Sequence, residues 1–255
     1  MTEPADRTLT QRCKDENWDL HQIAERNDGL ALVLKGQLER EAYVDILEQV
    51  WVGARAMDDA ARSALGARPE LGAIVLDEQM LAGYAAEDIV FFGRTTDAVE
   101  PRPGTARFVA HVRERASDPL YILGLHYVRL GACNGNRFVA MKARQHYALP
   151  ETGEGTRFLD PFGKAQREGW TAFKEGLDGF GLDAGERGRV LVGVRAMYEY
   201  AINMGNDERH VPAAELLEIH AGTLDKDAFT KSHTVVADKT APAPGDVPLN
   251  LTEAS

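Results

Sequence analysis

The run EREAYVDILEQVWVGARAMDDAARSALGA, residues 39–67, constrains the fold most strongly. Tyr43, Ile46, Leu47, Val50, Trp51 and Ala54 recur at helical spacing, and Ala-rich turns follow. This is the clearest amphipathic helix in the chain, and its apolar stripe has to be buried against other elements. The segment 118–149 reads as a second long helix. It carries no β-turn punctuation, Asp118 is placed to cap it and Pro119 to occupy its first turn, so one long helix is predicted despite Gly124, Gly131 and Gly135. A bent helix is expected over 9–34, interrupted at Gly29 and stopped by Lys35-Gly36-Gln37. Helices are also expected near 105–116, 157–178, 183–205 (capped by Asp183) and 212–220. Between 66 and 105 only short pieces are expected, broken by Gly66, Pro69, Gly72, Gly83, Gly93 and the PRPG at 101–104. Alternating patterns are too short to make strands. The expected fold is an all-α bundle in a single domain.

Composition sets the remaining bounds. A chain of 255 residues, 44% hydrophobic, can bury one core of ordinary size. Residues 1–8 are expected to fray, 9–222 to form the domain, and 223–255, rich in Pro, Ser, Thr and Asp, to form a disordered tail. No signal-peptide pattern and no membrane-length apolar run is present, so a cytoplasmic protein is expected, with no membrane association. A net charge of −11 argues against nucleic-acid binding and is compatible with a partner that carries a basic surface. Cys13 and Cys133 match neither a disulfide framework nor a metal pattern and read as free thiols.

Two stretches hold candidate chemistry. In the first, His21 and Glu25 lie at i and i+4 on one helix face. A neutral imidazole can bind a metal through one nitrogen and donate from the other to a carboxylate, which fixes its tautomer. A plain surface pair has the same spacing. The second is Gly131-Ala132-Cys133-Asn134-Gly135-Asn136-Arg137, inside a strong helix. Each interior glycine costs a helix roughly 0.5–1 kcal/mol relative to alanine. Close approach of another helix or of a flat ligand would offset that cost.

Taken in order, these stretches resemble the heme oxygenases. The family's proximal helix carries His-x-x-Ala-Glu, matched by His21, Ala24 and Glu25, and a Lys-Gly-Gln turn follows, matched at Lys35, Gly36 and Gln37. The distal helix of many bacterial members reads like Tyr-Val-x-x-Gly-Ser-x-Leu-Gly-Gly-Arg, and Tyr127 to Arg137 is similar to it. The resemblance implies heme, as substrate and cofactor, held between two helices. His21 would bind the iron, with Glu25 behind it, and the segment with Gly131, Ala132, Asn134, Gly135 and Asn136 would cover the distal face. Biliverdin, carbon monoxide and ferrous iron would be the products, with a reductase, ferredoxin or flavodoxin supplying electrons. Lys14, two turns before His21, and Lys174 match basic positions that anchor the propionates. Tyr127 and Arg129 are further pocket candidates, and Tyr198 could line the pocket from the last long helix.

The sequence departs from the pattern in two places. Ala132 stands where the best-studied branch has an aspartate, and Asn136 replaces the second glycine of the usual pair. Asn134 and Asn136 could offer hydrogen bonds to bound oxygen or crowd the site, and Cys133 reads as a buried, inert thiol. Two other readings stay open. One is a non-catalytic heme- or bilin-binding protein of this fold. The other is a non-heme di-iron oxygenase drawing on Glu48, Asp58 and His126.

Overall fold

The structure, a computed structural model, describes residues 7–26 and 28–224. The expectations for most of the N-terminal arm and for the tail beyond 224 lie outside the described residues. Ten α-helices follow one another: α1 (Leu9–Asp15), α2 (Trp18–Glu25), α3 (Asp28–Leu34), α4 (Arg40–Ala67), α5 (Ala82–Phe91), α6 (Pro103–Arg115), α7 (Pro119–Tyr147), α8 (Gln166–Asp178), α9 (Ala184–Asn203) and α10 (Ala213–His220). No strand occurs among the described residues. Short 3-10 turns at Pro69–Ala73 and Asp77–Gln79 join α4 to α5, and Gly163–Ala165 leads into α8.

Local signals set several boundaries. Thr8 caps α1 in a reciprocal box with Gln11. Asp118 caps α7 by accepting from the N–H groups of Leu120 and Tyr121, with Pro119 in the first turn. Asp183 caps α9 in a box with Glu186. After α3, Gly36 takes a left-handed φ of 63°, and the N–H groups of Gly36 and Gln37 return to Val33 and Leu32, a Schellman stop.

Two expected helices are corrected. The bent helix over 9–34 is three separate helices. At the first break the Asn17 side chain donates to the Cys13 carbonyl at 3.0 Å, which diverts a backbone acceptor from the helix ladder. The helix expected from 157 begins only at Gln166, because the preceding loop is held elsewhere. Buried Asp88 on α5 accepts from the N–H groups of Arg157 and Phe158, both at 2.8 Å, and Tyr43 donates to the Gly155 carbonyl.

Helices α7 and α9 cross through a glycine contact. A Cβ on Gly124 would lie 2.1 Å from the Val190 carbonyl oxygen, and one on Gly193 would lie 2.2 Å from that of Tyr121. Only glycine permits this approach. On its other side α7 is tied to α4 by a buried polar network. Asp58 pairs with Arg129 at 2.5 Å and also accepts from the N–H groups of Leu81 and Ala82 at the start of α5. Arg129 donates to the Gln79 carbonyl and contacts His126 Nδ1, and His126 Nε2 meets the Gln79 side chain at 2.9 Å. Burial, and next the Arg129 charge, hold His126 neutral, with its pKa well below the usual histidine range.

Candidate functional site

Two clusters gather most of the expected site residues. The first stands on α1, α2 and α9. His21 is one turn beyond Trp18, so the two rings meet on one face of α2, stacked at 4.9 Å with an interplanar angle of 13°. Tyr198 of α9 meets the same imidazole edge-on at 5.7 Å. His21 Nδ1 is buried, has no hydrogen-bond partner among the described residues and lies 3.5 Å from Glu25 Oε1. The expected His–Glu pairing is therefore present as a long contact. Burial lowers the His21 pKa; Glu25 opposes this and Lys14 adds to it, so the imidazole is neutral near pH 7. The exposed Lys14 ammonium lies 5.6 Å from the centre of the Trp18 ring.

The second cluster joins α7 and α8. Tyr127 is buried, donates to the Thr10 carbonyl of α1 and meets Trp170 at 5.1 Å. Lys174 sits one turn beyond Trp170, its ammonium 5.5 Å from the indole centre. Helix α1 bridges the clusters. Cys13 packs in one core cluster with Tyr127, Trp170 and Tyr198, and Asp178 of α8 accepts from the Thr10 backbone and hydroxyl.

The glycines of α7 divide into two kinds. Gly124 is filled by the backbone of α9, whereas a Cβ on Gly135 would meet nothing within 4 Å. A Cβ on Gly131 would make only ordinary contact, 3.4 Å, with the Trp170 ring. Helix packing thus explains the first glycine and leaves the other two unexplained. Being four residues apart, Gly131 and Gly135 bare one strip of the helix, a cradle that suits a flat ligand. The neutral histidine and the bare strip fit heme, which needs a ligand nitrogen on one side and close backbone approach on the other.

Neighbouring residues refine the reading. Asn134 donates to the Gly131 carbonyl at 3.0 Å, which commits its amide to the helix. Ala132 is exposed and Asn136 half-buried. Cys133 is buried, its thiol pushed up to about 12, with desolvation the main cause; it is inert, as expected. Arg129 is not a pocket residue, because Asp58 and Gln79 use its guanidinium. The same network commits Asp58 and His126, and Glu48 pairs with Arg94 at 3.0 Å, so the di-iron set is not assembled. No cluster of three metal-ligating side chains occurs among the described residues. Sequence reasoning missed Trp18 and Trp170, although each lies one helical turn from a residue it singled out.

Comparison with known proteins decides the family. The model of the heme oxygenase family matches residues 7–207, most of the chain. The chain belongs to the heme oxygenase family. Among curated heme oxygenases, heme oxygenase 2 of Synechocystis is 24% identical over 203 residues, 76% of this chain and 80% of the relative. Solved heme oxygenases share the fold. The Leptospira interrogans enzyme superposes with a TM-score of 0.70 at 21% identity, covering 78% of this chain and 98% of that one. Synechocystis heme oxygenase-2, solved with heme and NO, gives a TM-score of 0.70 at 19% identity, covering 98% and 100%. The family's reaction is oxidative cleavage of heme to biliverdin, and heme is its substrate and prosthetic group. No helix among the described residues is long and apolar enough to cross a membrane.

Proposed function

We propose that this chain performs the family's reaction with His21 as the proximal iron ligand, on a domain spanning 9–222. The observation that carries the reading is the pair of unfilled glycines, Gly131 and Gly135, in a helix whose other interior glycine is filled by protein. A helix with two interior glycines gives up stability that α7 packing does not return. Heme lying on that strip accounts for the cost.

The side chains then have distinct tasks. His21, kept neutral by burial, offers Nε2 to iron while Nδ1 faces Glu25. Lys14 and Lys174 supply cations for the propionates. Tyr127, tied to Thr10, holds α7 in place over α1. The bare strip would let α7 lie close over bound heme, with room for dioxygen and little for bulky groups, and Ala132 and Asn136 border it without adding a carboxylate. Bound heme supplies the iron at which dioxygen is activated.

Electrons come from a separate reductase, ferredoxin or flavodoxin. Although the whole chain is acidic, residues 119–150 contain no Asp or Glu. On α7, Arg137 forms no ion pair among the described residues, next to Phe138 and Met141, which are 41% and 39% exposed. This basic, partly apolar surface beside the site suits an acidic donor. Two buried free thiols fit a reducing, cytoplasmic setting.

The test is a hemin titration of the wild type and of His21→Ala, followed by ascorbate or by ferredoxin with its reductase. The expected result is a Soret band that requires His21 and then decays as biliverdin absorbance rises. A His21-dependent ferric complex that survives reduction under oxygen would make the protein a heme carrier. Absence of heme binding would sink the assignment.

A further inference from the structure

We propose that Trp18 is a positioning residue for the iron ligand: its indole, stacked on His21, fixes the plane in which the imidazole presents Nε2. This rests on the reading of His21 as proximal ligand. It concerns a residue that neither the proximal motif nor the propionate cations include.

The usual means of orienting a ligating histidine is a hydrogen bond from its second nitrogen. Here that means is weak. Nδ1 and the Glu25 carboxylate are 3.5 Å apart, and the Glu25 side chain is 64% exposed, so water competes for it. Helix α2 is itself only eight residues long, and its N-cap, Asn17, makes no side-chain capping bond. A histidine ring on such a helix has a broad torsional well about its last bond. Two aromatic walls narrow it. Trp18 lies nearly parallel to the imidazole at 4.9 Å, and Tyr198 meets it at 67° from another side. Rotation of the imidazole about its last bond would break the Trp18 stack and drive an edge into Tyr198. With heme bound, His21 would hold the iron, and fixing the plane of its ring would set how the ligand nitrogen meets the metal. Trp18 touches neither iron nor dioxygen in this role and acts through His21.

The test has one readout without heme and two with it, on wild type, Trp18→Ala and Trp18→Phe. In the heme-free protein, the His21 ring protons should resonate upfield under the indole ring current and return to ordinary positions in Trp18→Ala. In the ferrous heme complex, the iron–histidine stretch should be one narrow band in wild type and Trp18→Phe, and shifted or broadened in Trp18→Ala. Heme Kd should rise in Trp18→Ala by no more than about 3- to 10-fold, the full worth of an ordinary aromatic pair, because the stack already exists in the heme-free protein, with Trp18→Phe recovering most of the loss. A merely structural role would lower the melting temperature while leaving the iron–histidine band in place, and that result overturns the proposal. So does a His21 ring shift identical in wild type and Trp18→Ala. If His21→Ala keeps the same heme complex, the proximal assignment fails and this role with it, while the heme-free resonances still report whether the stack exists.

Discussion

Replacing Gly135 by alanine should make the heme-free protein more stable and the heme complex weaker. A Cβ there meets no atom within 4 Å, so the substitution brings no clash in the ligand-free protein. It brings the helix-propensity gain of alanine over glycine in a helix interior, about 1 kcal/mol. For a domain of this size that corresponds to a rise in melting temperature of about 2–4 °C. If heme lies on the bare strip, the same methyl group intrudes on it. Overpacking of about 1–3 kcal/mol converts to a heme Kd roughly 5- to 150-fold higher. Gly124→Ala is the internal control. Its Cβ would fall 2.1 Å from the Val190 carbonyl, backbone that cannot swing aside, so α7 and α9 must separate and the heme-free protein should lose more than that range. The assay is thermal unfolding of the heme-free proteins together with a Soret titration. A Gly135→Ala protein that is stabilised yet binds and degrades heme like wild type refutes the cradle. One that is destabilised refutes the claim that the strip is empty.

Three further outcomes are expected. Asp58→Ala leaves the Arg129 guanidinium buried without its carboxylate and should cost about 3–5 kcal/mol in urea unfolding; a loss below 1 kcal/mol would show that the network does not brace α7. Burial pushes the Asp88 carboxyl up to about 6 against the N–H groups of Phe158, Arg157 and Gly155. The folded state therefore holds this proton more tightly than the unfolded state, and the contribution of Asp88 to stability falls as pH rises from about 4 to 6; Asp88→Asn should remove that slope, and an unchanged slope assigns it elsewhere. The His21 pKa lies below its ordinary 6.5, so its neutral form persists below that pH in the fold. Heme affinity should stay level from pH 8 to 6.5 and fall only below, as protons compete for the ligand nitrogen; a decline centred above 6.5 contradicts the burial argument.

Capping, periodicity and turn chemistry act over a few residues, and the sequence by itself determined what depends on them. Asp118 and Asp183 cap where expected, the stripe from Tyr43 to Ala54 runs along one long helix, and Gly36 closes α3 through a left-handed turn. The order of the His21 and Gly131 motifs likewise pointed to the family that the wider comparison establishes. Tertiary structure decided whatever depends on what stands opposite a residue. Gly124, Gly131 and Gly135 look alike in the chain, and only the path of α9 makes the first a backbone contact, while Gly131 lies beside the Trp170 ring and Gly135 is open. Asp58 and His126 look like free ligands until Arg129 and Gln79 are found against them. The Asp88 hold on residues 157–158 delays α8, and the Asn17 side chain splits the first helix, although local periodicity favoured helix at both places. Trp170 came beside Gly131 only when folding set α8 against α7, whereas Trp18 meets His21 one turn along the same helix, a contact that the sequence spacing already allowed. Backbone propensity is a property of neighbours in sequence, whereas burial, ion pairing and ring stacking are properties of neighbours in space.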